Sequence, residues 1–285
     1  MTELEGSMSG GCPYRTGATG VSGSTSYGSG PTGLSSSDLT YNDYLKIPNL
    51  LSLQKPQSSP PHHDELLFII IHQSYELWFK LILHEFESAL HFMNEGAALR
   101  ARHFVHRSVQ IMKLLVQQIH ILETMSPVEF LHFRDHLKPA SGFQSTQFRE
   151  IEFTLGLKDE KILKYFENRP EFLERLNARM NAPDLWTVFC QMLEKMGLSG
   201  TLEGMVEIYQ DPEKHYPVFL LSEAMIELDE YLGFWRDHHV RVVERVIGAK
   251  DGTGGSDGVG YLRTTTSKKC FPILWKVRTE LKKVP

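Results

Sequence analysis

The sequence predicts an all-α protein, and three observations predict it. Apolar side chains recur three and four residues apart over most of the chain, which is the spacing of a buried helical stripe. No segment reads convincingly as a strand, and no internal repeat divides the sequence. A length of 285 residues is compatible with one or two domains. We therefore expect a single all-helical domain over residues 38–285.

Composition and charge narrow the class of protein. The chain has 30 basic and 35 acidic side chains, and this mildly acidic balance argues against nucleic acid as a partner. Cys12, Cys190 and Cys270 show no C-x-x-C spacing, which suits a reducing compartment, so we expect a cytoplasmic protein. The N-terminus does not read as a secretory signal. The most apolar run, residues 66–71, is followed by polar residues too soon to span a membrane.

The N-terminal part is expected to be a tail followed by an arm. Residues 1–37 are dominated by Gly, Ser and Thr, a composition that cannot offset the entropy of ordering, so a disordered tail is predicted. Residues 39–53 then supply bulky side chains. Asp38 is expected to cap a short helix that stops at Pro48. This arm would pack on the domain or on a neighbouring subunit.

A long helix is predicted next, from Asp64 as its cap to about residue 94. Nearly every face of its first half is apolar, so we expect that half to be buried. One stripe of this helix places a histidine among aromatic rings: Phe68, His72, Tyr75 and Phe79. His72 is therefore either a core histidine or a polar group in a dry pocket, and both interpretations stay open.

Two further helices are predicted over residues 97–124 and 127–137. The second carries Phe130 and Arg134 one turn apart, and the Pro-, Ser- and Gly-containing residues 138–145 end it in a tight turn. Arg134 either binds a carboxylate with two hydrogen bonds from its guanidinium group or is a solvated cation at a helix end. Other helical patterns cover residues 147–156, 160–168, 170–178, 185–196, 201–209 and 276–282, and a long helix begins near Pro217.

That last long helix runs into a glycine-rich loop, residues 252–258. His239 follows the apolar stripe of the helix, whereas His238 lies about 100° away on its wetter border. A buried imidazole needs a partner, which is either a carbonyl or hydroxyl of the protein or a metal. The loop lacks the Lys-Ser or Lys-Thr of a phosphate-binding loop. It is interpreted as a mobile lid or as a flexible connection.

The histidines fit few metal sites. A di-iron bundle needs two E-x-x-H sequences, and only Glu129 to His132 matches. No H-E-x-x-H sequence is present, so the helix motif of zinc hydrolases is missing. The remaining possibility for a metal is one axial histidine, His239, on haem, a cofactor that brings its own equatorial ligands.

Four long motifs resemble a known family. They are LTYNDYL at 39–45, HHDELLFIIIHQSYELWFK at 62–80, FRDHLKPASGFQSTQFR at 133–149 and WRDHHVRVVERVIGAKDGTGGSDGVGYLRTT at 235–265. In this order they resemble the tryptophan 2,3-dioxygenase family, of the bacterial kind, over nearly everything after residue 38. The resemblance implies a helical haem-binding bundle of the tryptophan/indoleamine dioxygenase type, which holds haem b (heme b). It also implies insertion of both atoms of O2 into L-tryptophan, opening the indole C2–C3 bond to give N-formyl-L-kynurenine, the first step of the kynurenine route.

The resemblance also implies roles for individual residues. His239 matches the ligand of the haem iron, and His72 matches the histidine that hydrogen-bonds the indole N–H. Phe68 would pack on the indole. Arg134 matches the arginine that binds the substrate carboxylate, and Thr253 the lid residue at the ammonium and carboxylate end of the substrate.

Other matches concern the haem surroundings and the assembly. Ser141 and Gly142 match the turn above the haem, and Arg149 is expected near a haem propionate. Tyr41 and Tyr44 match residues that the family delivers into a neighbouring subunit's pocket, which implies a homotetramer.

One residue departs from some bacterial members of the family. Phe130 stands where they have a tyrosine that contributes a hydroxyl to the substrate carboxylate. We therefore expect Arg134 to carry more of the carboxylate recognition here.

Three other functions remain open. A haem enzyme of the indoleamine type would accept a wider range of substrates. A non-catalytic haem sensor would need His239 but neither Arg134 nor the lid. A purely structural helical oligomer would bind no haem.

Overall fold

The computed structural model describes residues 39–250, 252–254 and 258–283. The predicted tail, residues 1–37, lies outside the described residues, as does Asp38, the predicted cap. The chain divides into two compact units, one ending at Leu51 and the other beginning at Ser52.

The described part of the first unit consists of two short helices, α1 (Tyr41–Leu45) and α2 (Ile47–Leu51). Thr40 caps α1 through its hydroxyl oxygen, and Lys46, at a φ of 55°, separates the two helices. The prediction that Pro48 ends the helix is wrong. Pro48 lies in the first turn of α2, where its missing N–H removes no hydrogen bond.

The described part of the second unit is helical and contains no strand. Its α-helices are α3 (His63–Asn94), α4 (Ala98–Leu122), α5 (Pro127–Arg134), α6 (Thr146–Thr154), α7 (Pro170–Asn181), α8 (Leu185–Lys195), α9 (Leu202–Gln210), α10 (Tyr216–Ile247), α11 (Val259–Thr265) and α12 (Pro272–Glu280). Short 3-10 helices cover Asp135–Leu137, Gly142–Gln144 and Glu160–Phe166. The all-α prediction is confirmed.

The scaffold of this unit is a layer of three long helices, in which α4 packs against both α3 and α10. Ile82 of α3, Leu115 of α4 and Leu221 of α10 are fully buried in its core. Helices α8, α9 and α12 add to the same core. A second, smaller core lies under α6 and α7 and consists of Phe153, Ile162, Phe166 and Leu176.

Helix α3 begins differently from the prediction, because Asp64 does not cap it. His62 is the N-cap and makes no side-chain capping bond, while Asp64 and Glu65 lie in the first turn. Acidic side chains there interact favourably with the helix dipole. Buried Glu65 also accepts hydrogen bonds from the backbone N–H groups of Gln57 and Ser58, at 2.6 and 3.1 Å. It thereby fixes the loop that leads into the helix.

One face of α3 is apolar and exposed in the single chain. Leu66, Ile70 and Leu77 are 45%, 47% and 54% exposed, so the prediction that the first half is buried on every face is wrong. Among the described residues, α3 is the one helix whose length and composition would allow it to cross a membrane. One such helix is weak evidence for a membrane span, and α3 packs here against α4, α6 and α8.

A buried carboxylate joins the C-terminal helix to α10. Asp229 accepts hydrogen bonds from the backbone N–H groups of Cys270 and Phe271, at 2.9 and 3.1 Å, and from Nε1 of Trp275 at 2.8 Å. Three donors compensate the cost of burying the carboxylate. They fix the start of α12 on α10, four residues earlier than the predicted helix at 276–282.

Two other elements differ from the prediction. The α-helix predicted to reach residue 137 ends at Arg134 and continues as a 3-10 turn. Helix α11 was not predicted, because the glycine-rich sequence before it gave no helix start signal.

Candidate active site

A cavity of about 300 Å³ lies in the second unit, within the size range of small-molecule sites. Apolar side chains such as Phe79, Ile119, Val242 and Val246 form most of its wall. The predicted site residues that line it are Phe68, His72, Phe130, Arg134, Ser141, Gly142, Arg149, His239 and Thr253. The other two, Tyr41 and Tyr44, lie in the first unit, where they are 74% and 72% exposed.

Helix α10 brings His239 to the cavity wall. Its imidazole stacks on Trp235, one turn earlier, with ring centroids 5.0 Å apart and planes inclined by 17°. No described residue makes a hydrogen bond to this ring. Burial, and then electrostatic interactions with His72 and Arg149, lower the pKa of His239 to about 4. The ring is therefore neutral at pH 7, with a nitrogen lone pair available to a ligand.

The neighbouring histidine is placed differently. His238 does not line the cavity, and its Nδ1 is hydrogen-bonded to the carbonyl oxygen of Phe234 at 2.8 Å. The predicted separation of the two histidines onto different faces of the helix is confirmed.

His72 enters the cavity from α3 with a defined tautomer. Its Nδ1 lies 2.7 Å from the carbonyl oxygen of Phe68. Because a carbonyl oxygen only accepts hydrogen bonds, Nδ1 carries a proton, and Nε2 of the neutral ring is an acceptor. Burial lowers the pKa of His72, which favours this neutral form. The ring centroids of Phe68 and His72 are 4.0 Å apart, and those of Phe68 and Phe130 are 5.7 Å apart.

Arg134, the last residue of α5, lines the cavity. The turn that follows is tied to α3: the Ser145 hydroxyl donates to Oε1 of Glu76 at 2.6 Å, and the Gln147 amide donates to Oε2 at 2.8 Å. Ser141 caps the 3-10 helix inside this turn. Because Glu76 follows His72 by one helical turn, these hydrogen bonds join the His72 part of the wall to the turn that follows Arg134.

The described part of the glycine-rich segment contacts the same turn. The hydroxyl of Thr253 donates to the carbonyl oxygen of Ala140 at 2.6 Å. Gly254 lies so close to Ser141 that a Cβ built on it would be 2.7 Å from the Cβ of Ser141. Residues 255–257 of the predicted lid lie outside the described residues, as does residue 251 just before it.

Gly254→Ala is expected to loosen this contact, because the added methyl group overlaps Ser141. Overpacking of this kind costs about 1–3 kcal/mol. Amide hydrogen exchange at residues 252–254 should accelerate. Gly233→Ala is the matched control, since nothing lies within 4 Å of its Cβ position in α10. Unchanged exchange in Gly254→Ala would show that the contact is not maintained in solution.

Other polar residues of the wall were missed by the sequence analysis. Glu76, Glu152 and Arg236 line the cavity. Each is a charged residue in an amphipathic helical pattern, which is typical of a solvated face, so the sequence carried no signal for them.

The donor set suits haem better than a metal held by protein ligands alone. Within residues 39–250, 252–254 and 258–283, no group of three or more His, Cys, Asp or Glu side chains could hold a metal ion. One neutral histidine, such as His239, is a sufficient protein ligand for an iron porphyrin, because the porphyrin supplies four ligands of its own. The residues present therefore fit this cofactor.

Known proteins resemble the chain over most of its length. A family model described as tryptophan 2,3-dioxygenase matches residues 25–198 and 190–281. A tryptophan 2,3-dioxygenase of Nocardioides sp. is 46% identical over 255 residues, covering 86% of this chain and 96% of the relative. The enzymes of that name from Herpetosiphon aurantiacus and Caulobacter vibrioides are 44% and 42% identical over 265 and 264 residues, covering 86% of this chain and 100% of each relative.

These matches include the segments that build the cavity wall, from α3 through the turn after α5 to α10 and α11. Each of these alignments covers 86% of the chain at an identity above 40%, so the similarity extends well beyond a single motif. The chain therefore belongs to the tryptophan 2,3-dioxygenase family of oxidoreductases.

Proposed function

We propose that the protein is a haem b-dependent dioxygenase that inserts both atoms of O2 into L-tryptophan and releases N-formyl-L-kynurenine. One observation carries the proposal, namely that three residues line the same cavity. They are His239, whose ring makes no hydrogen bond to a described residue, His72, whose Nε2 can accept a hydrogen bond, and Arg134. The family membership supports the same conclusion.

His239 would ligate the haem iron, and Ser141, Gly142 and Arg149 would contact the cofactor. The bound haem supplies the redox chemistry that activates O2. The stacked ring of Trp235 restricts rotation of the His239 imidazole. The apolar wall keeps water from the reacting groups.

The remaining wall residues suit L-tryptophan. Phe68 offers an aromatic face to the indole, and Nε2 of His72 can accept a hydrogen bond from the indole N–H. Arg134 would bind the carboxylate through its guanidinium fork, and Thr253 would meet the ammonium and carboxylate end. Phe130 has no hydroxyl to offer the carboxylate. Contacts at both ends of the substrate fix its orientation, which is itself a large part of catalysis.

His72 is assigned an orienting role rather than that of an obligatory base, because indole is a very weak acid at its N–H. His72→Ala is expected to reduce kcat/KM for L-tryptophan by about ten- to a hundredfold, the scale of a lost hydrogen bond and a less defined orientation. Steady-state kinetics together with spectral titration of tryptophan would measure it. Complete loss of turnover with unchanged affinities for tryptophan and O2 would show that orientation is too small a role.

The assembly and location are proposed from the sequence and the family. Tyr41 and Tyr44 would enter the pocket of a neighbouring subunit of a homotetramer, which accords with their exposure in the single chain. Cys190 and Cys270 are free thiols, which suits the cytoplasm. We assign no nucleic-acid or membrane partner.

The function is tested by reconstituting the full chain with haem and recording its visible spectrum before and after adding L-tryptophan and air. We expect a histidine-ligated haem spectrum that changes on tryptophan addition, followed by the absorption band of N-formylkynurenine. Haem binding without product would instead support a haem sensor. Absence of any haem band would refute the assignment of His239.

A further inference from the structure

Glu76 lines the cavity but has no part in the proposed reaction. Its side chain holds the beginning of α6 on α3. Oε1 accepts a hydrogen bond from the hydroxyl of Ser145 at 2.6 Å, and Oε2 accepts one from the side-chain amide of Gln147 at 2.8 Å. The same amide also donates to the backbone carbonyl oxygen of Glu76 at 2.8 Å. Three hydrogen bonds therefore fix the place at which the turn between α5 and α6 ends.

The turn, residues 138–145, is braced from its last residue back to Ser141. The hydroxyl oxygen of Ser145 caps α6 by accepting a hydrogen bond from the N–H of Phe148 at 3.2 Å. The 3-10 helix before it has a capping box, in which the side chains of Ser141 and Gln144 accept hydrogen bonds from backbone N–H groups. Because these bonds link residues 141 to 145, the position of Ser141 follows from the position at which Ser145 is held.

The glycine-rich segment rests on the beginning of the same turn. The hydroxyl of Thr253 donates to the carbonyl oxygen of Ala140 at 2.6 Å, and Gly254 leaves no room for a Cβ beside Ser141. Thr253 also lines the cavity. An unbroken series of contacts thus leads from Glu76 on α3 to the cavity residue Thr253.

Direct contact of Glu76 with the substrate is the alternative, since a carboxylate in the wall could pair with the ammonium group. Each of its two oxygens, however, already accepts a hydrogen bond from the turn or from α6. A side chain engaged in this way is suited to hold other protein groups in place. The geometry therefore favours a supporting role.

We propose that Glu76 is a positioning residue that acts through the turn on Thr253. Its carboxylate sets the place of the Thr253 hydroxyl in the cavity wall and thereby strengthens the binding of L-tryptophan. The inference rests on the proposed function, because it takes Thr253 as a contact of the substrate. It adds to that function a residue whose own side chain need not touch the substrate.

The first test is amide hydrogen exchange of the full chain, which needs no turnover. In Glu76→Ala, exchange at residues 144 and 145, whose N–H groups are hydrogen-bonded within the turn, should accelerate about tenfold, and exchange at residues 252–254 should accelerate with it. Glu76→Gln should stay close to the wild type. Its amide can donate to the Ser145 hydroxyl and accept from Gln147. A circular dichroism spectrum would establish that the helices of both variants are intact.

The second test is a double-mutant cycle on the dissociation constant of L-tryptophan, measured by spectral titration of the haem-reconstituted protein. Glu76→Ala should weaken tryptophan binding about tenfold, the scale of a lost charge-assisted hydrogen bond. Thr253→Val removes the hydroxyl and keeps the size of the side chain. It should weaken binding about fivefold in the wild type but less than about twofold in Glu76→Ala, because two residues that act through one another have non-additive effects.

Glu87→Ala is the matched control. It removes a glutamate from the same helix, where Glu87 pairs with Arg179 at 3.1 Å, and this residue does not line the cavity. Exchange at residues 144, 145 and 252–254 should equal that of the wild type. Thr253→Val should cost the full, about fivefold, affinity in this background.

The outcomes separate this proposal from the proposed function. Unchanged exchange in Glu76→Ala, additive losses in the double variant, or full tryptophan affinity in Thr253→Val overturns the positioning role while leaving dioxygenation of tryptophan standing. Equal losses of affinity in Glu76→Gln and Glu76→Ala would assign the effect to a direct contact of the charge and overturn it as well. Failure of the wild type to bind haem or L-tryptophan overturns both.

Discussion

His239→Ala is expected to abolish the histidine-ligated haem spectrum and to lower turnover by more than about a hundredfold. Removing a residue that only supports a metal ligand costs up to about a hundredfold, and removing the ligand itself should cost more. The expectation follows from the position of the ring: it is on the cavity wall, neutral, and without a hydrogen bond to any described residue. Visible spectra of the reconstituted variant, together with product formation, would measure both effects.

The neighbouring residue provides the control. His238→Ala removes an imidazole from the same helix, but this ring is hydrogen-bonded to the Phe234 carbonyl oxygen and does not line the cavity. Spectrum and turnover should be close to those of the wild type. If His239→Ala kept a histidine-type spectrum, or if His238→Ala lost it, the assignment of the iron ligand would be wrong.

Arg134→Leu is expected to have the second largest effect, on substrate recognition. Loss of the guanidinium would leave the tryptophan carboxylate without its charge-assisted partner, which costs about 3 kcal/mol, or roughly a hundredfold in affinity. Phe130 offers no hydroxyl that could compensate for the lost contact. Spectral titration with L-tryptophan measures the loss.

The specificity of that loss is the decisive observation. An indole analogue without a carboxylate, such as 3-methylindole, should bind Arg134→Leu about as well as the wild type. Arg134→Lys should be intermediate, since an ammonium keeps the charge but not the fork. Equal weakening of tryptophan and 3-methylindole would refute the role of Arg134 in carboxylate binding.

Helical periodicity predicted the elements that carry the site. The stripes of α3 and α10 alone set His72 among aromatic residues and separated His239 from His238, because side chains three and four residues apart share a helix face. His72 and His239 line the same cavity in the structure. The roles of these residues came from the family motifs and not from periodicity, and they stay predictions.

The sequence was a poor guide where tertiary contacts override local patterns. Glu152 and Arg236 resemble solvated positions in sequence, yet each is buried by a partner on another helix. The exposed apolar face of α3, with Leu66, Ile70 and Leu77, was misjudged for a related reason: periodicity reports which faces are apolar and not what covers them.

Helix α10 carries two residues whose side chains must point in particular directions around the helix axis. Its 32 residues form a rod of about 48 Å, and it carries both the anchor of α12, Asp229, and the cavity histidine, His239. One residue inserted between them would turn His239 by about 100° away from the wall while Asp229 stayed in place. Seven inserted residues would restore the direction but shift the ring by about 10.5 Å along the axis. We therefore expect that an insertion or deletion between Asp229 and His239 would displace one of these two residues from its contacts.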